Sequence, residues 1–285
     1  MHLPDYKLEE LAFAFRCYVY FRWHAFYRQP VTEFKLLTSE ALQAIHPELH
    51  ILELSATETE MSVLVSLAPC ESISVAASKL KGAASKTIRE LQGQTAPAKT
   101  LGGGYFAATT GGNTTPELEG YLARQETHHG YDQRANSPVF TRTWALSDAD
   151  RATLQTAHAV TLLHWHVVLA TWNRQGVFTR KAAEEVCECW ERHLPDWRIL
   201  LRKVTVLPDH VHIAMCSHPM VAPGRVALEL MAASQDLMRE RFEPLVVQAG
   251  IPRLWKPGAY VGSYGDITKE HVRNYLRRWG EDVAK

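Results

Sequence analysis

The sequence predicts an α+β fold in which two similar domains, each an antiparallel sheet carrying helices, are fused in one chain as a pseudo-dimer. Three observations predict it. Strand-like and helix-like patterns recur in the same order in both halves, an order that suits helices on an antiparallel sheet. Short stretches of the first half reappear, in order, in the second. Each half ends on a capped amphipathic helix.

Each half opens on an aromatic strand-like segment, Phe13–Tyr27 and Leu162–Trp172. A helix follows, over Ser39–Ile45 and over Arg180–His193. In the second half two strands come next, Arg198–Val206 and His210–Cys216. A longer helix then runs over Ser74–Leu91 and Ala222–Arg241, before a short aromatic strand and the closing helix. In the first closing helix Thr115-Pro116 offers a capping threonine and a proline at the first helical position. Leu118, Tyr121, Leu122 and Gln125 share one face at helical spacing. In the second, Thr268 can cap, and Val272, Tyr275, Leu276 and Trp279 form the stripe.

The repeat is seen at several places. Arg28-Gln29-Pro30-Val31 matches Arg174-Gln175-Gly176-Val177, and Ser62-Val63-Leu64-Val65-Ser66 falls where His212-Ile213-Ala214-Met215-Cys216 falls. Gly104-Tyr105-Phe106-Ala107-Ala108-Thr109 resembles Gly258-Ala259-Tyr260-Val261-Gly262-Ser263, and Gly120-Tyr121-Leu122 matches Asn274-Tyr275-Leu276. The repeated unit is domain-sized, so it reads as a duplicated domain rather than a solenoid repeat. The expected division is a first domain over 1–126, a linker over 127–157 marked by Gly130, Asn136, Pro138 and Ser147-Asp148, and a second domain over 158–285.

Bulk properties narrow the function. The 285 residues are 46% apolar, enough for a real core, and the length suggests about two domains. Lys+Arg and Asp+Glu both total 31, so the formal net charge is zero and any nucleic-acid contact must come from local patches. The five cysteines (Cys17, Cys70, Cys187, Cys189, Cys216) and a polar opening without a secretory signal lead us to expect a reducing, cytoplasmic setting. Cys187-Glu188-Cys189 lacks a second Cys/His pair at zinc spacing and reads as helix residues. No apolar run reaches the roughly 18 residues of a membrane span.

The most informative stretch is Leu207-Pro208-Asp209-His210-Val211-His212-Ile213-Ala214-Met215. On a strand, residues two apart share a face, so His210 and His212 project together while Val211, Ile213 and Met215 suit a core. Two adjacent imidazoles suit a divalent metal, and two half-buried histidines on a sheet face are the plain alternative. Asp209 can orient a neighbour.

This stretch resembles the His–hydrophobic–His motif of the single-tyrosine HUH transposases, the TnpA-type enzymes of the smallest bacterial insertion sequences. The opening strand Leu163-His164-Trp165-His166-Val167-Val168, the run Leu254-Trp255-Lys256-Pro257-Gly258-Ala259-Tyr260-Val261-Gly262-Ser263 and the tyrosine helices extend the resemblance. It covers His164–Trp279 well and Phe15–Gln125 more faintly. It implies two ferredoxin-like (RRM-like) HUH domains. It also implies a tyrosine helix packed against the partner's histidine pair, and a glutamine four residues after the tyrosine as a further metal ligand.

The two halves depart from that pattern in opposite ways. The first half keeps Tyr121-Leu122-Ala123-Arg124-Gln125 but reads Glu60-Met61-Ser62 at the histidine positions. The second keeps His210 and His212 but reads Tyr275-Leu276-Arg277-Arg278-Trp279. If the halves pack as the family's two subunits do, one site is complete: His210 and His212 with Tyr121 and Gln125. The other would hold Glu60, Ser62 and Tyr275. Tyr121 is the expected nucleophile, Tyr275 the second candidate, and a buried aromatic stripe the plain alternative for both.

The resemblance implies Mg²⁺ or Mn²⁺, with imidazole ligands favouring Mn²⁺. It also implies a 5′-phosphotyrosine and a free 3′-hydroxyl, with strand rejoining that needs no ATP. Single-stranded DNA, including hairpin-forming DNA, is the implied partner, and a monomeric pseudo-dimer the implied state. Lys79, Lys81, Lys86 and Arg89 form the denser positive helix, and Arg16, Arg22 and Arg28 accompany the aromatics of the opening strand, which could stack on bases. A solvated charged face and core packing are the plain alternatives. Three readings compete: an active strand-transferase, a domesticated transposase-derived DNA-binding or regulatory protein with reduced or no catalysis, and an unrelated hydrolase using His210 and His212.

Overall fold

The computed structural model describes residues 6–26, 40, 44, 49–57, 59–93, 98–133 and 137–266. The first half contains β1 (Ala12–His24), β2 (His50–Ala56), β3 (Glu60–Leu67), α1 (Ile73–Gln92), β4 (Tyr105–Thr110), α2 (Thr115–Ala123) and α3 (Gln125–His128). Then follow β5 (Phe140–Thr143), α4 (Asp148–Ala152), β6 (Ala159–Leu162), β7 (His164–Ala170) and α5 (Arg180–Trp197). The chain continues through β8 (Ile199–Leu207), β9 (His210–Ser217), α6 (Pro223–Arg241), α7 (Glu243–Gln248) and β10 (Gly258–Tyr264). The fold is α+β, as expected.

The first half orders its strands β2-β3-β1-β4 and the second β8-β9-β7-β10, with every neighbouring pair within each set antiparallel. Ladder irregularities fall at corresponding places, between Ile51 and Glu53 on β2 and between Leu201 and Lys203 on β8. The two sets are not separate sheets. β1 runs parallel to β10 (Ala12 opposite Gly258) and β6 parallel to β4 (Tyr105 opposite Ala159), so the ten strands among the described residues form one sheet. This works because β1 is 13 residues long: its last part pairs with β3 and β4 while its first part reaches β10. Open edges at the seam are thereby removed. Close approach there requires glycine, since a Cβ on Gly258 would lie 2.5 Å from the Ala12 carbonyl oxygen.

The expected strand over Leu162–Trp172 divides into β6 and β7 at Leu163, where the chain changes partner. The Thr109 hydroxyl fills that break: it accepts from His164 N at 2.8 Å and donates to the Tyr264 carbonyl at 2.7 Å. The stretch 127–157 contributes β5, an edge strand paired with β8, as well as α4. The helix expected over Ser39–Ile45 and the closing helix bearing Tyr275 lie outside the described residues as elements. All five cysteines are free, and Cys187 and Cys189 are buried on α5. Among the described residues, no helix is long and apolar enough to cross a membrane.

Strand alternation divides the side chains between two faces. Val19, Phe21 and Trp23 of β1, Val167 and Leu169 of β7, and Val211, Ile213 and Met215 of β9 join the main core with residues of α1, α5 and α6. The opposite face carries Ala214, against which α2 packs Leu118 and Leu122 together with Tyr264. Thus a helix from the first half rests on strands of the second. Arg202 on β8 donates twice to Glu119 at 2.7 and 2.8 Å, and Thr205 donates to the Leu122 carbonyl at 3.1 Å. The helix starts one residue earlier than its sequence suggests. Thr114 is the N-cap, because Glu117 three residues on accepts its backbone N–H at 2.7 Å and closes a capping box.

Leu122 is fully buried in this docking contact. Leu122→Ala is expected to cost about 2–5 kcal/mol, read as a lower urea midpoint at unchanged slope. A loss below about 0.5 kcal/mol, the size of a surface change, contradicts the docking.

Candidate composite active site

The site is built on β9, where alternation sends His210 and His212 to the face covered by α2. Both are nearly buried, at 4% and 6% exposure, with ring centroids 5.1 Å apart. Asp209, just before the strand, accepts from His210 Nδ1 at 2.6 Å through one oxygen, and its other oxygen meets Arg174 Nε at 2.8 Å. Burial opposes ionisation of Asp209, but the His210 hydrogen bond and the Arg174 charge outweigh it and hold the carboxyl below its usual range. With Nδ1–H given to a carboxylate, His210 keeps its Nε2 lone pair for a ligand.

The neighbouring strand adds an imidazole. His166 Nε2 lies 3.1 Å from His212 Nδ1, and the two rings stack with centroids 5.3 Å apart. Burial pushes His166 down to about 4, and burial together with His166 and His210 pushes His212 down to about 2. Both imidazoles are therefore neutral at pH 7, the form that ligates metal.

From across the seam comes α2. Its Tyr121 ring centroid stands 5.6 Å from that of His212 and 6.5 Å from that of His166, edge-on to both. Tyr121 is 40% exposed, so a ligand arriving from solvent can reach the phenol. Gln125, one turn on, is fully buried; its Nε2 donates to the Tyr121 carbonyl at 3.2 Å, and its Oε1 has no hydrogen-bond partner. One turn further, the exposed His129 ring lies 5.2 Å from that of His210.

Among the described residues, no three His, Cys, Asp or Glu side chains converge on one point as a metal site. The donor chemistry still fits a divalent ion once the carboxamide is counted. Imidazole nitrogens bind at about 2.1 Å, which sets two ring centroids on one ion roughly 5 Å apart. A buried amide oxygen without a partner is costly until something supplies positive charge. Two imidazoles and an amide oxygen suit Mn²⁺ better than Mg²⁺.

The residues named from sequence separate by face. Tyr121, Asp209, His210 and His212 gather at this site, and Gln125 is buried one turn after Tyr121. Lys79 and Lys81 lie on α1, which packs on the other face of the sheet. Lys79 is ion-paired with Glu71 at 2.9 Å, Lys81 donates to the Gly103 carbonyl at 3.0 Å, and Lys86 lies 3.8 Å from Glu90. Lys86 and Arg89 are exposed on that helix. Arg16 and Arg22 are exposed on β1, on the same face as the histidine pair. Arg22 sits over the Phe106 ring and 4.0 Å from Glu60. A cavity of about 710 Å³ is lined by Arg22, Phe26, Glu60 and Lys99 of the first half and by residues 156–160. Arg28 and Tyr275 lie outside the described residues. Sequence reasoning missed His166, Arg174 and the Arg202–Glu119 anchor. His164-Trp165-His166 repeats the alternate-residue spacing of His210 and His212 and was a signal for His166, whereas nothing local marks the others.

Residues 159–278 match the family model described as IS200-like transposase. A solved structure of a candidate transposase from Deinococcus radiodurans R1 is 22% identical over 44% of this chain and 96% of its own, with a TM-score of 0.37. A protein from Galdieria sulphuraria, described as unknown, is 8% identical over 80% of this chain and 94% of its own, with a TM-score of 0.21. No curated protein matches the chain.

The orphaned Gln125 oxygen gives a test in the metal-free protein. A buried unsatisfied acceptor costs about 1–3 kcal/mol, so Gln125→Met is expected to leave thermal stability unchanged or raise it by about 1 kcal/mol. A loss of more than about 1 kcal/mol would mean that the amide serves packing.

Proposed function

Starting from residues 159–278 as an IS200-like transposase domain, we propose that the chain is a single-stranded DNA transposase with one working active site shared between its halves. Tyr121 of the first half is the nucleophile. His210 and His212 of the second half, with Gln125 of the first, are the metal ligands. One observation carries this reading: the Tyr121 ring stands 5.6 Å from His212, although the two residues belong to different halves. The helix that brings Tyr121 there is the one docked on β8 and β9.

In this reading the phenolic oxygen of Tyr121 attacks a backbone phosphorus. An O–P bond forms to the tyrosine, the bond to the 3′ oxygen breaks, and the proton lost by the phenol is balanced by one gained at that oxygen. The products are a 5′-phosphotyrosine and a 3′-hydroxyl. The reverse reaction, with a new 3′-hydroxyl, rejoins the strand without ATP, because the ester keeps the bond energy. A bound divalent ion supplies Lewis-acid stabilisation of the phosphate charge. Asp209 holds His210, and Arg174 holds Asp209, so the donors are oriented before substrate arrives.

We read the two halves as copies of one domain whose sites have specialised. Their matching strand order, register and ladder irregularities support that reading. Glu60 and Ser62 occupy the first half's equivalents of the histidines, and Arg22, Phe106, Phe26 and Lys99 beside them offer cations over aromatic rings for a passing strand.

Incubation with a labelled single-stranded oligonucleotide and Mn²⁺ tests the proposal. Wild type and Tyr275→Phe are expected to yield a denaturation-resistant protein–DNA band, and Tyr121→Phe none. A band of wild-type intensity from Tyr121→Phe overturns the assignment, and DNA binding without any band in wild type favours the regulatory alternative.

A further inference from the structure

A histidine ligates metal through the ring nitrogen that carries no proton, so the partner of the other nitrogen decides whether it can ligate at all. His210 is settled by Asp209, an acceptor-only partner. Among the described residues His212 has no carboxylate on Nδ1; it has His166 Nε2 at 3.1 Å. That contact has two possible polarities with opposite consequences. If His166 donates, His212 carries its proton on Nε2 and cannot bind an ion there. If His212 donates from Nδ1, its Nε2 is free and both histidines of the pair present Nε2.

Resting on the metal-site reading above, we infer that His166 is a positioning residue whose Nε2 accepts the Nδ1–H of His212 and so keeps His212 Nε2 as a lone-pair donor. His166 is suited to the task. It stands on β7, directly hydrogen-bonded to β9, so its backbone is fixed by sheet ladders on both sides. It stacks on His212 and faces the edge of Tyr121, so it touches the histidine pair and the phenol at once.

The same diagonal occurs in the other half. His166 pairs in register with Ala214, two residues beyond His212; Tyr20 of β1 pairs with Leu64, two residues beyond Ser62. Tyr20 donates its hydroxyl proton to Ser62 Oγ at 3.0 Å. The fold thus sets a polar partner at this register position in both halves. In the half with the histidines, that partner is an imidazole, which can accept.

Two readouts test this without relying on strand cleavage. Long-range ¹H–¹⁵N NMR of the metal-free protein reads the tautomer directly, and His212 is expected to be protonated on Nδ1. Mn²⁺ titration is expected to show affinity about tenfold or more weaker in His166→Ala, with His166→Gln, whose amide oxygen falls near the lost nitrogen, within about threefold of wild type. His212 protonated on Nε2, or a His166→Ala protein that binds Mn²⁺ as tightly as wild type, overturns the inference. A wild-type protein that binds no Mn²⁺ removes the metal site itself, whereas the tautomer readout bears on His166 alone.

Discussion

The structure depends on one docking contact: α2 of the first half lying across β8 and β9 of the second. Leu118 and Leu122 bury their side chains against Ala214 and Tyr264. Two hydrogen bonds from Arg202 to Glu119 and one from Thr205 to the Leu122 carbonyl fix the helix along its length. The ion pair is only partly exposed, so it orients the helix more than it stabilises it. The apolar contact supplies the energy and the polar contacts supply the register. Together they bring the Tyr121 ring to 5.6 Å from that of His212, with the buried Gln125 carboxamide one helical turn further on.

In the proposed reading neither half holds a full set of groups; the parallel pairing of β1 with β10 and of β4 with β6 makes the two halves one continuous sheet. The seam is therefore backbone hydrogen bonding rather than a surface contact, and it resists sliding. A group donated across it is held as firmly as one donated from within a domain, which is what a preorganised site requires. Electrostatics follow the same division. His166 and His212 are kept neutral by burial, while Arg16 and Arg22 stand exposed on the same face in the other half, on β1.

Much of this was legible in the sequence, for local reasons. Period-two alternation put His210 and His212 on one face and Val211, Ile213 and Met215 on the other. Helical spacing predicts Leu118, Tyr121, Leu122 and Gln125 on one face; in the structure the helix ends at Ala123, with Leu118, Leu122 and Gln125 buried and Tyr121 exposed. What was not legible depends on remote pairing. No local pattern says that β1 will extend into the other half, or that the chain will break at Leu163 and be held there by Thr109. His166 stands in the His-x-His run His164-Trp165-His166, but only the register of β7 against β9 sets it diagonal to His212. The cap at Thr114 rather than Thr115 turned on which threonine has a glutamate three residues on.

The shared site is the central claim, and the identity of the DNA-linked residue tests it most directly. Wild-type protein trapped on single-stranded DNA in Mn²⁺, digested and sequenced by tandem mass spectrometry, is predicted to carry its nucleotide remnant on the peptide containing Tyr121. A remnant on Tyr275, or one on Tyr121 that forms equally well in a His210→Ala protein, contradicts it.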